Sequence, residues 1–510
     1  MDDHRQQGIS RRGFLKGAAI GAGALALAGW APSLASALPA EAVPRRWDAE
    51  ADLVIVGGGG AGLVAAITAR ERGATVLVLE KAARCGGTTA LSGGLLQAAA
   101  TPYQREAGIL NDTTEAHYQF WLEQSEGIAD PDLVRVLAEE APKSIQWLAD
   151  RGVIFTSVMP LGRIPFIDPA QNVPRIHAVE GSGMGLMRTI EDVARARGAE
   201  IWTNTSVVAL VTDKEQGVVG VKAEGRRGTL FIRAAKAVIL ATSSFDHNRE
   251  MARAFSPQQL WALETGRCLC AKTNEGDGIR LAMGVGADLA GMGGTIGYCG
   301  VNVGRTEEVP GIWVNKLGQR FVDEASHYAY AMWAVFNQPM HQAWAIFDDE
   351  VKALGGRAIG GAFQSWSDDL SREIAAGVIH RGNTIEELAQ SLGIPAHHLA
   401  ATVKAWNEDA ARGVDTLCGR EVALKPIAKP PFYAALVTEV NLGSMGGVKI
   451  NTKGQVLNVE GQPIPHLYAA GMVAGGFLGP YYPGSGTAVQ VAITFGRVAA
   501  EHAVRERPTA

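Results

Sequence analysis

Three glycines near the N-terminus stand at the spacing that a phosphate-binding turn requires. Gly57, Gly59 and Gly62 follow the apolar run LVIV, and the helical pattern LVAAITARERG begins directly after them. In such a strand–turn–helix unit the first glycine permits the turn, the second lets the backbone approach a pyrophosphate, and the third allows close packing. The first helical turn, with Gly60 and Ala61, points its amides at the phosphates. The pattern predicts a dinucleotide site.

An acidic residue completes this fingerprint. Glu80 ends the second apolar strand, TVLVLE, where a carboxylate can accept hydrogen bonds from the ribose hydroxyls of the adenosine half. Lys81 follows it and is included among the predicted cofactor contacts. The alternative is a tight turn with a surface glutamate, which the complete order of strand, turn, helix, strand and acid disfavours.

A second loop of small residues decides between NAD and FAD. The segment KAARCGGTTALSGG follows the acidic position, and its backbone can run along the extended ribityl and flavin portion of FAD, which NAD lacks. We therefore predict FAD as the cofactor. The predicted contacts in this loop are Gly87, Thr88, Thr89, Ser92, Gly93 and Gly94.

Beyond these loops, nearly the whole chain resembles the fumarate reductase and 3-ketosteroid dehydrogenase superfamily of flavoproteins. The resemblance is carried by VVALVTDKEQGVVGV, AVILATSSFDHN, EGDGIRLAMGVGADL, PGIWVNKLGQRFVDE, KPPFYAALV, MGGVKINTKGQVLN and IPHLYAAG. It implies an α/β fold in which a Rossmann-like FAD-binding domain carries an inserted substrate-capping domain of α+β type. It also implies that the backbone of Val208 meets the adenine. Further residues would line the cofactor: Ala241, Asp277, Gly471, Thr487, Ala488 and Val489. The histidine that binds flavin covalently in some relatives is missing from TTALSGG, so we expect non-covalent FAD.

The length of the chain predicts more than one domain. We expect the FAD-binding domain to be discontinuous, with residues 46–275 and 432–510, and the capping domain to span residues 276–431. Within the cap, TIEELAQSLGI and HHLAATVKAWNEDAARG predict two amphipathic helices. Thr384 and Glu387 would form a capping box at the start of the first helix.

The N-terminal residues 1–37 predict export. SRRGFLKG is typical of a twin-arginine signal and is followed by a small-residue apolar run and an ASA cleavage site. The alternative is a retained membrane anchor, but the apolar run is short and rich in glycine. We expect recognition by the twin-arginine export machinery and a periplasmic or secreted enzyme. Cleavage would move the net charge from −5 to −7, which indicates no nucleic-acid partner.

The five cysteines form neither a zinc pattern nor a haem-attachment motif. No metal site is therefore predicted, and electrons must pass to an external acceptor, either a quinone or a soluble carrier. Cys268 and Cys270 are the only close pair. An exported protein can form a disulfide between them. We nevertheless expect thiols, because adjacent strand-like positions point in opposite directions.

The resemblance also implies the chemistry. Fumarate reductases hold a dicarboxylate with arginines and histidines, whereas this chain has LGSMGG in place of their histidine pair and a tyrosine at the acid/base position. Its YYPGSG segment is similar to that of 3-ketosteroid 1-dehydrogenases. By that resemblance Tyr482 and Gly486 grip the ketone oxygen of a small hydrophobic substrate, Tyr328 removes the α-proton, and flavin N5 accepts hydride. His327 or Tyr330 would assist Tyr328.

Some alternatives remain open at the level of sequence. A further tyrosine that ketosteroid dehydrogenases usually carry is absent from VIFTSVMPLGRIPFIDPAQNV, where Phe166 is the nearest aromatic residue. Either Tyr298 or Tyr330 replaces it, or the substrate is a smaller cyclic ketone. A second hypothesis is a fumarate- or urocanate-type reductase, for which three cationic candidates are unassigned: Arg163, Arg175 and His177. A third is an exported flavin electron carrier without catalytic activity.

Overall fold

The computed structural model describes residues 36–299, 311–360 and 366–509. The predicted export signal lies outside the described residues except for its last two positions. The strands are β1 Glu41–Ala42, β2 Ala49–Val56, β3 Val76–Leu79, β4 Leu95–Gln97, β5 Phe155–Met159, β6 Ile176–Val179, β7 Glu200–Trp202, β8 Thr205–Asp213, β9 Gly217–Gly225, β10 Gly228–Leu240, β11 Leu289–Ala290, β12 Thr295–Cys299, β13 Ile312–Asn315, β14 Ala343–Asp348, β15 Ile379–Gly382, β16 Phe432–Val437, β17 Glu439–Ser444, β18 Gly447–Lys449, β19 Gln455–Leu457, β20 Pro463–Ala469 and β21 Ala474–Gly475.

The helices are likewise numbered in chain order. They are α1 Gly60–Arg70, α2 Gly87–Leu91, α3 Pro102–Glu106, α4 Thr114–Gln124, α5 Pro131–Ala149, α6 Ser182–Ala196, α7 Arg249–Phe255, α8 Pro257–Glu264, α9 Asp277–Met283, α10 Tyr328–Phe336, α11 Asp349–Lys352, α12 Gly356–Gly360, α13 Ser371–Ala375, α14 Ile385–Leu392, α15 Ala396–Arg412 and α16 Thr487–Ala503. Two short 3₁₀ turns occupy Pro169–Gln171 and Pro339–His341.

The largest described sheet runs in the order β1-β8-β9-β10-β2-β3-β7, and β20 and β19 continue it from β10. Its centre, from β10 through β2 and β3 to β7, is parallel. The second half of β2 and all of β3 are buried apolar residues, as parallel strands covered on both faces require. The Rossmann-like α/β prediction is confirmed.

The two ends of the described chain meet on this sheet. Helix α16 packs along α1, and a Cβ added to Gly496 of α16 would lie 2.7 Å from the carbonyl oxygen of Ala61. The two helix backbones therefore approach more closely than larger side chains would permit. This contact places the YYPGSG segment, which leads into α16, beside the glycine turn that leads into α1.

A second, antiparallel sheet has the order β13-β14-β16-β15. Helices α14 and α15, both predicted from the sequence, cover it with a separate apolar core that includes Leu388, Leu399 and Trp406. Thr384 accepts a hydrogen bond from the N–H of Glu387 at 3.1 Å, while the Glu387 carboxylate accepts from Asn383. The predicted hydrogen bond to the Thr384 side chain is present. The Glu387 side chain, which in a capping box would bond the N–H of Thr384, instead accepts from the N–H of Asn383.

The domain division at 275/276 and 431/432 stays a prediction. Strand β16 lies on the C-terminal side of the second boundary and pairs with β14 and β15 of the smaller sheet. That sheet therefore continues past residue 431, up to residue 437.

A buried ionic cluster holds the segment that leads to Tyr328. Glu324 accepts hydrogen bonds from the N–H of Trp313 at 2.8 Å, from Arg320 at 2.8 and 2.7 Å, and from Arg420 at 3.0 Å. A buried carboxylate is tolerated only when its charge and lone pairs are matched in this way. Because Tyr328 begins α10 shortly afterwards, the cluster determines where that helix starts.

The described part of the chain shows neither a membrane-crossing helix nor a metal cluster. Its helices are all too short or too polar to span a bilayer. Likewise, its histidine, cysteine, aspartate and glutamate side chains nowhere gather in threes around a possible metal position.

Glu439 on β17 is a fully buried carboxyl group that accepts a hydrogen bond from the Thr295 hydroxyl at 2.8 Å. Burial raises its pKa to about 8, and hydrogen bonds from Thr295, Asn441 and Gln258 offset this only in part. An unfolded glutamate has a pKa of about 4.3. Between these two values the folded protein therefore binds more protons than the unfolded chain, so stability falls as pH rises through that interval.

Replacing Glu439 with Gln should remove this pH dependence, because the amide keeps the shape of the side chain and does not titrate. Between about pH 5 and about pH 8 the wild type should lose stability relative to the variant by on the order of 1 kcal/mol per pH unit. Thermal unfolding of both proteins across this range measures the effect. If the melting temperatures of the two proteins depend on pH in the same way, the raised pKa is not that of Glu439.

Candidate active site

A cavity of about 770 Å³ runs from the glycine turn after β2 to the YYPGSG segment before α16. Its walls come from parts of the chain that are far apart in sequence. The first wall is formed by the β2–α1 turn and the loop 86–93, the second by residues around Ala241 and Asn274, and the third by the start of α16. The one cavity therefore joins both predicted FAD loops to the YYPGSG segment.

The glycine turn forms the phosphate end of the cavity. Gly57 has φ +110°, and a Cβ there would lie 2.4 Å from the carbonyl oxygen of Ala241. A Cβ on Gly62 would lie 1.9 Å from the carbonyl oxygen of Gly57. Gly59 caps α1 without a side-chain hydrogen bond, so the first amides of the helix are left for an anion. This backbone cradle fits a pyrophosphate.

Glu80 lies next to this cradle and is held in place by backbone amides. Its Oε2 accepts from the N–H of Gly58 at 2.7 Å, and its Oε1 accepts from the N–H of Ala82 at 2.7 Å. Each carboxylate oxygen keeps a further lone pair for a ribose hydroxyl. Lys81 lies beside it, paired with Asp277 at 2.5 Å and Glu275 at 3.0 Å.

Strand β8 offers a backbone contact where the adenine is expected. Val207 pairs with Ala223 and Ala209 pairs with Lys222, so the register shifts at Val208. A residue at such a bulge is left out of the strand pairing, which suits the predicted backbone contact of Val208. Val207 itself contributes to the cavity wall.

Most of the predicted FAD contacts share this one cavity. The wall contains Gly57, Gly59, Gly60, Ala61, Glu80, Lys81, Gly87, Thr88, Thr89, Ser92, Gly93, Ala241, Asp277, Gly471, Ala488 and Val489. Four predicted residues are not part of this wall: Gly62, Gly94, Val208 and Thr487. Gly94 packs against the backbone at Ser182, where a Cβ would lie 2.3 Å from the Ser182 carbonyl carbon. The Thr487 hydroxyl donates to the carbonyl of Gly484 at 2.9 Å.

Two tyrosine hydroxyls reach the opposite end of the cavity. Tyr328 is the first residue of α10, and its hydroxyl lies 3.1 Å from the Ser485 hydroxyl. Tyr482 accepts a hydrogen bond on its hydroxyl oxygen from the N–H of Ala488 at 2.7 Å. Both tyrosines and Ser485 line the cavity, together with Gly486. The three predicted catalytic residues are thus brought together.

Burial determines the protonation state of Tyr482. Burial raises the pKa of Tyr482 well above its usual value, and a negative charge on Tyr328 would raise it further. Tyr482 therefore keeps its proton at neutral pH. Because its oxygen already accepts from Ala488, its own hydrogen is available to donate into the cavity. This is the arrangement that a carbonyl-polarising group requires.

Ser485 is a site residue that the sequence analysis missed. Its only signal in the sequence was its place between the two glycines of YPGSG. Of the partners that were considered for Tyr328, His327 lies ring to ring at 4.2 Å and caps α10 through the N–H of Ala329. The Tyr330 ring instead packs against Tyr481, with centroids 5.4 Å apart.

A polar network beside the cavity was also not anticipated. Asp246 accepts from the N–H and hydroxyl of Ser444 at 2.6 and 2.7 Å, and from the side-chain amide of Asn274 at 2.7 Å. Asn274 also donates to the Thr88 hydroxyl at 2.8 Å. This network links the loop after Glu80 to β17, and the FDHN segment was its only sign in the sequence.

The cationic residues left unassigned by the sequence lie elsewhere. Arg175 is buried and forms two hydrogen bonds with Asp112 at 2.9 and 2.7 Å. His177 bonds the Thr101 hydroxyl at 2.7 Å, and burial lowers its pKa to about 4. Arg163 pairs with Asp323 at 2.9 Å. None of these three residues belongs to the described cavity wall.

Comparison with known proteins agrees with this geometry. The family described as FAD binding domain matches residues 52–489, which is most of the chain. The chain belongs to this family. It is a FAD-dependent oxidoreductase that acts on carbon–carbon single or double bonds, within the flavoprotein superfamily of fumarate reductases and 3-ketosteroid dehydrogenases. The prediction of FAD as cofactor is confirmed.

Three individual proteins show the range of this similarity. Digoxin reductase of Eggerthella lenta is 30% identical over 99% of this chain and 98% of its own length. NADH:fumarate oxidoreductase of Klebsiella pneumoniae is 33% identical over 91% of this chain and 48% of its own length, so the chain spans about half of that enzyme. The crystal structure of 3-ketosteroid-Δ4-(5α)-dehydrogenase from Rhodococcus jostii RHA1 with 4-androstene-3,17-dione has 28% identity and a TM-score of 0.78, covering 92% of this chain and 100% of that one.

Replacing Glu80 with Ala should weaken FAD binding by about 1.5 to 3 kcal/mol, because two charged acceptor positions for ribose hydroxyls are lost. Flavin retained after dialysis, measured by absorbance per protein, reports the change. Glu224, an exposed glutamate on β9, provides the matched control, since its replacement with Ala leaves the cavity unchanged. Equal flavin retention in both variants would argue against the ribose contact.

Proposed function

We propose that the protein dehydrogenates the carbon–carbon bond next to a ring ketone, in a hydrophobic, uncharged substrate of which ketosteroids are the leading class. The observation that carries this proposal is the pair of tyrosine hydroxyls on one cavity wall. Tyr328 is bonded to Ser485, and Tyr482 is bonded to the N–H of Ala488. Bound FAD supplies the hydride acceptor, its N5 atom.

Tyr482 and Gly486 have the role of gripping the ketone oxygen. The buried, protonated hydroxyl of Tyr482 donates one hydrogen bond, and the backbone amide of Gly486 is the proposed second donor. Both donors are positioned by the start of α16. Negative charge grows on the ketone oxygen as the α-proton leaves, so donors fixed at that point stabilise the transition state more than the ground state.

Tyr328 has the role of removing the α-proton. A phenol with a pKa near 10 is a weak base at neutral pH, so it must pass on its own proton as it accepts another. The Ser485 hydroxyl, 3.1 Å from the Tyr328 hydroxyl, is placed to relay that proton, taking it up while it releases its own hydroxyl proton to water. Ser485 is held in turn by its carbonyl, which accepts from Gln97 at 3.2 Å.

The lining near the tyrosines favours an uncharged substrate. Ile296, Leu269 and Leu442 contribute apolar surface to the cavity. A dicarboxylate in a dry pocket needs paired cationic donors, and the only cationic wall residues among those described are Lys81 and Lys272. The ring ketone bound in the Rhodococcus jostii RHA1 structure is an uncharged dione, which agrees with this choice.

Reduction of an activated double bond is the second candidate, because the sequence relatives above are named as a digoxin reductase and a fumarate oxidoreductase. The same groups serve both directions: Tyr328 would donate the proton that it removes in dehydrogenation. The direction then depends on the external electron partner. A simple flavin electron carrier would have no use for two hydroxyls held over the cavity.

We further propose that the enzyme works outside the cytoplasm, after export by the twin-arginine machinery, with a quinone or a soluble carrier as electron acceptor. The SRRGFLKG segment supports this proposal. Because twin-arginine export carries folded proteins, FAD would be bound before transport.

The substrate class is tested by anaerobic reduction of the holoenzyme. Adding 4-androstene-3,17-dione, or a related ketosteroid without ring double bonds, should bleach the visible absorbance band of oxidised FAD, because hydride moves onto the flavin. Succinate should leave the band unchanged, since the described part of the cavity wall contains no arginine or histidine that would bind its carboxylates. Bleaching by succinate but by no ketone would reverse the proposal in favour of a dicarboxylate enzyme.

The roles of the two tyrosines are tested by replacing each with Phe. Tyr328→Phe should keep ligand affinity and lose turnover, because its hydroxyl acts mainly in the transition state. Tyr482→Phe should weaken binding of a product analogue by about 1 kcal/mol and reduce the rate by roughly a hundredfold or more. Steady-state kinetics and ligand titration give both quantities.

Tyr330→Phe is the matched control, because Tyr330 lies on the same helix and outside the cavity wall. It should keep nearly full activity. Exchange of the substrate α-proton in deuterated buffer, measured on oxidised enzyme without an acceptor, should vanish in Tyr328→Phe and persist in Tyr330→Phe. If Tyr328→Phe exchanges at the wild-type rate, Tyr328 is not the base.

A further inference from the structure

A pair of thiols lies beside the FAD cavity and has no part in the proposed reaction. Cys268 and Cys270 belong to the segment 267–271, which runs along β17 and is bonded to it: the N–H of Leu269 donates to the carbonyl of Asn441 at 2.9 Å. Leu269 also belongs to the cavity wall. The sulfur of Cys268 lies 3.8 Å from the carbonyl oxygen of Asp246, another wall residue.

Both sulfurs point to the same side of the segment. Each lies 3.6 Å from Oδ1 of Asn441. That amide is oriented by its other contacts, since Oδ1 accepts from the N–H of Gly443 at 3.0 Å and Nδ2 donates to Gln259 at 2.7 Å. The residues are thiols, as expected, but the reason given from the sequence was wrong: positions two apart in an extended segment share a face.

The two thiols differ in exposure and acidity. Cys268 is half-buried and Cys270 is buried. A hydrogen bond from Cys270 lowers the pKa of Cys268, while the same bond and burial raise the pKa of Cys270. Burial raises the pKa of both Cys85 and Cys418 to about 12. Since the thiolate is the nucleophile, Cys268 is the most reactive of these four thiols.

We propose that Cys268 and Cys270 form a thiol–disulfide exchange site that reacts with low-molecular-weight disulfides. The Cys268 thiolate attacks one sulfur of the external disulfide, forms a mixed disulfide and releases one thiolate. Cys270 then gives up its proton and attacks the Cys268 sulfur, which releases the second thiol and closes an intrachain disulfide. Two electrons leave the cysteine pair, and the external disulfide is reduced to two thiols.

The backbone geometry permits the intrachain bond. Residues two apart in an extended segment have Cα atoms about 6.6 Å apart, which lies near the upper end of the range for disulfides, about 4.4 to 6.8 Å. Side chains on one face repeat at the same spacing, whereas a disulfide needs Cβ atoms about 3.5 to 4.5 Å apart. Closing the bond therefore requires the segment 267–271 to bend further at Cys270, where the chain already bends. The shared contact with Asn441 Oδ1 already holds the two sulfurs next to each other.

The experiment treats the FAD-loaded enzyme with oxidised glutathione, blocks the remaining thiols and locates each modification by peptide mass spectrometry. Wild type should yield the Cys268–Cys270 disulfide without bound glutathione. Cys270→Ser should retain one glutathione on Cys268, because the resolving thiol is missing. Cys268→Ser should react with oxidised glutathione at least about tenfold more slowly than wild type, since Cys270 is buried and its pKa is raised.

Controls are present within the same chain. Cys85 and Cys418 should stay reduced throughout, and flavin content of each variant should equal that of wild type. The proposal is overturned if wild type accumulates a stable glutathione adduct on Cys268 without an intrachain bond, or if Cys85 or Cys418 reacts before Cys268. Tyr328→Phe should be oxidised at the wild-type rate, so the result does not depend on the proposed ketone chemistry.

Discussion

The close approach of backbones around the β2–α1 turn is the constraint on which the rest of the site depends. Gly57 lies against the carbonyl of Ala241, and Gly62 lies against the carbonyl of Gly57, at distances that leave no room for a Cβ. Gly496 likewise lies against the carbonyl of Ala61 where α16 packs along α1. Because these contacts bring the C-terminal helix onto the N-terminal one, the phosphate cradle and the YYPGSG segment form parts of a single cavity.

At the far end of the cavity, Tyr328 and Tyr482 form different hydrogen bonds. A backbone amide at the start of α16 occupies the oxygen of Tyr482 and leaves its proton free to donate. The Ser485 hydroxyl contacts Tyr328, the proposed base. The buried cluster around Glu324 fixes the start of α10 and so places Tyr328 opposite the loop. Chemical difference here arises from position, since both residues are tyrosines.

The proteins similar to this chain include a digoxin reductase, a fumarate oxidoreductase and a 3-ketosteroid dehydrogenase, and the described cavity bears on which of these chemistries fits the chain. Arg175 and His177 are held by Asp112 and Thr101 away from the cavity, and apolar residues line the space near the tyrosines. This lining supports the proposal of an uncharged ketone rather than a dicarboxylate as the substrate. The proposed exchange site at Cys268 and Cys270 lies beside the same cavity, next to the wall residue Leu269, and does not involve the tyrosines.

The sequence by itself determined the local features whose physics is contained in a short segment. The glycine spacing, the acid at Glu80, the small-residue loop and the helices α14 and α15 were all predicted, because turn geometry, periodicity and capping depend on near neighbours. Only the tertiary structure decided which side chains meet. It placed Ser485 against Tyr328, drew Arg175 away to Asp112, joined Asp246 to Ser444, and set both cysteine sulfurs against Asn441. Those contacts join residues far apart in the chain, and their distances follow from how the sheets and helices pack.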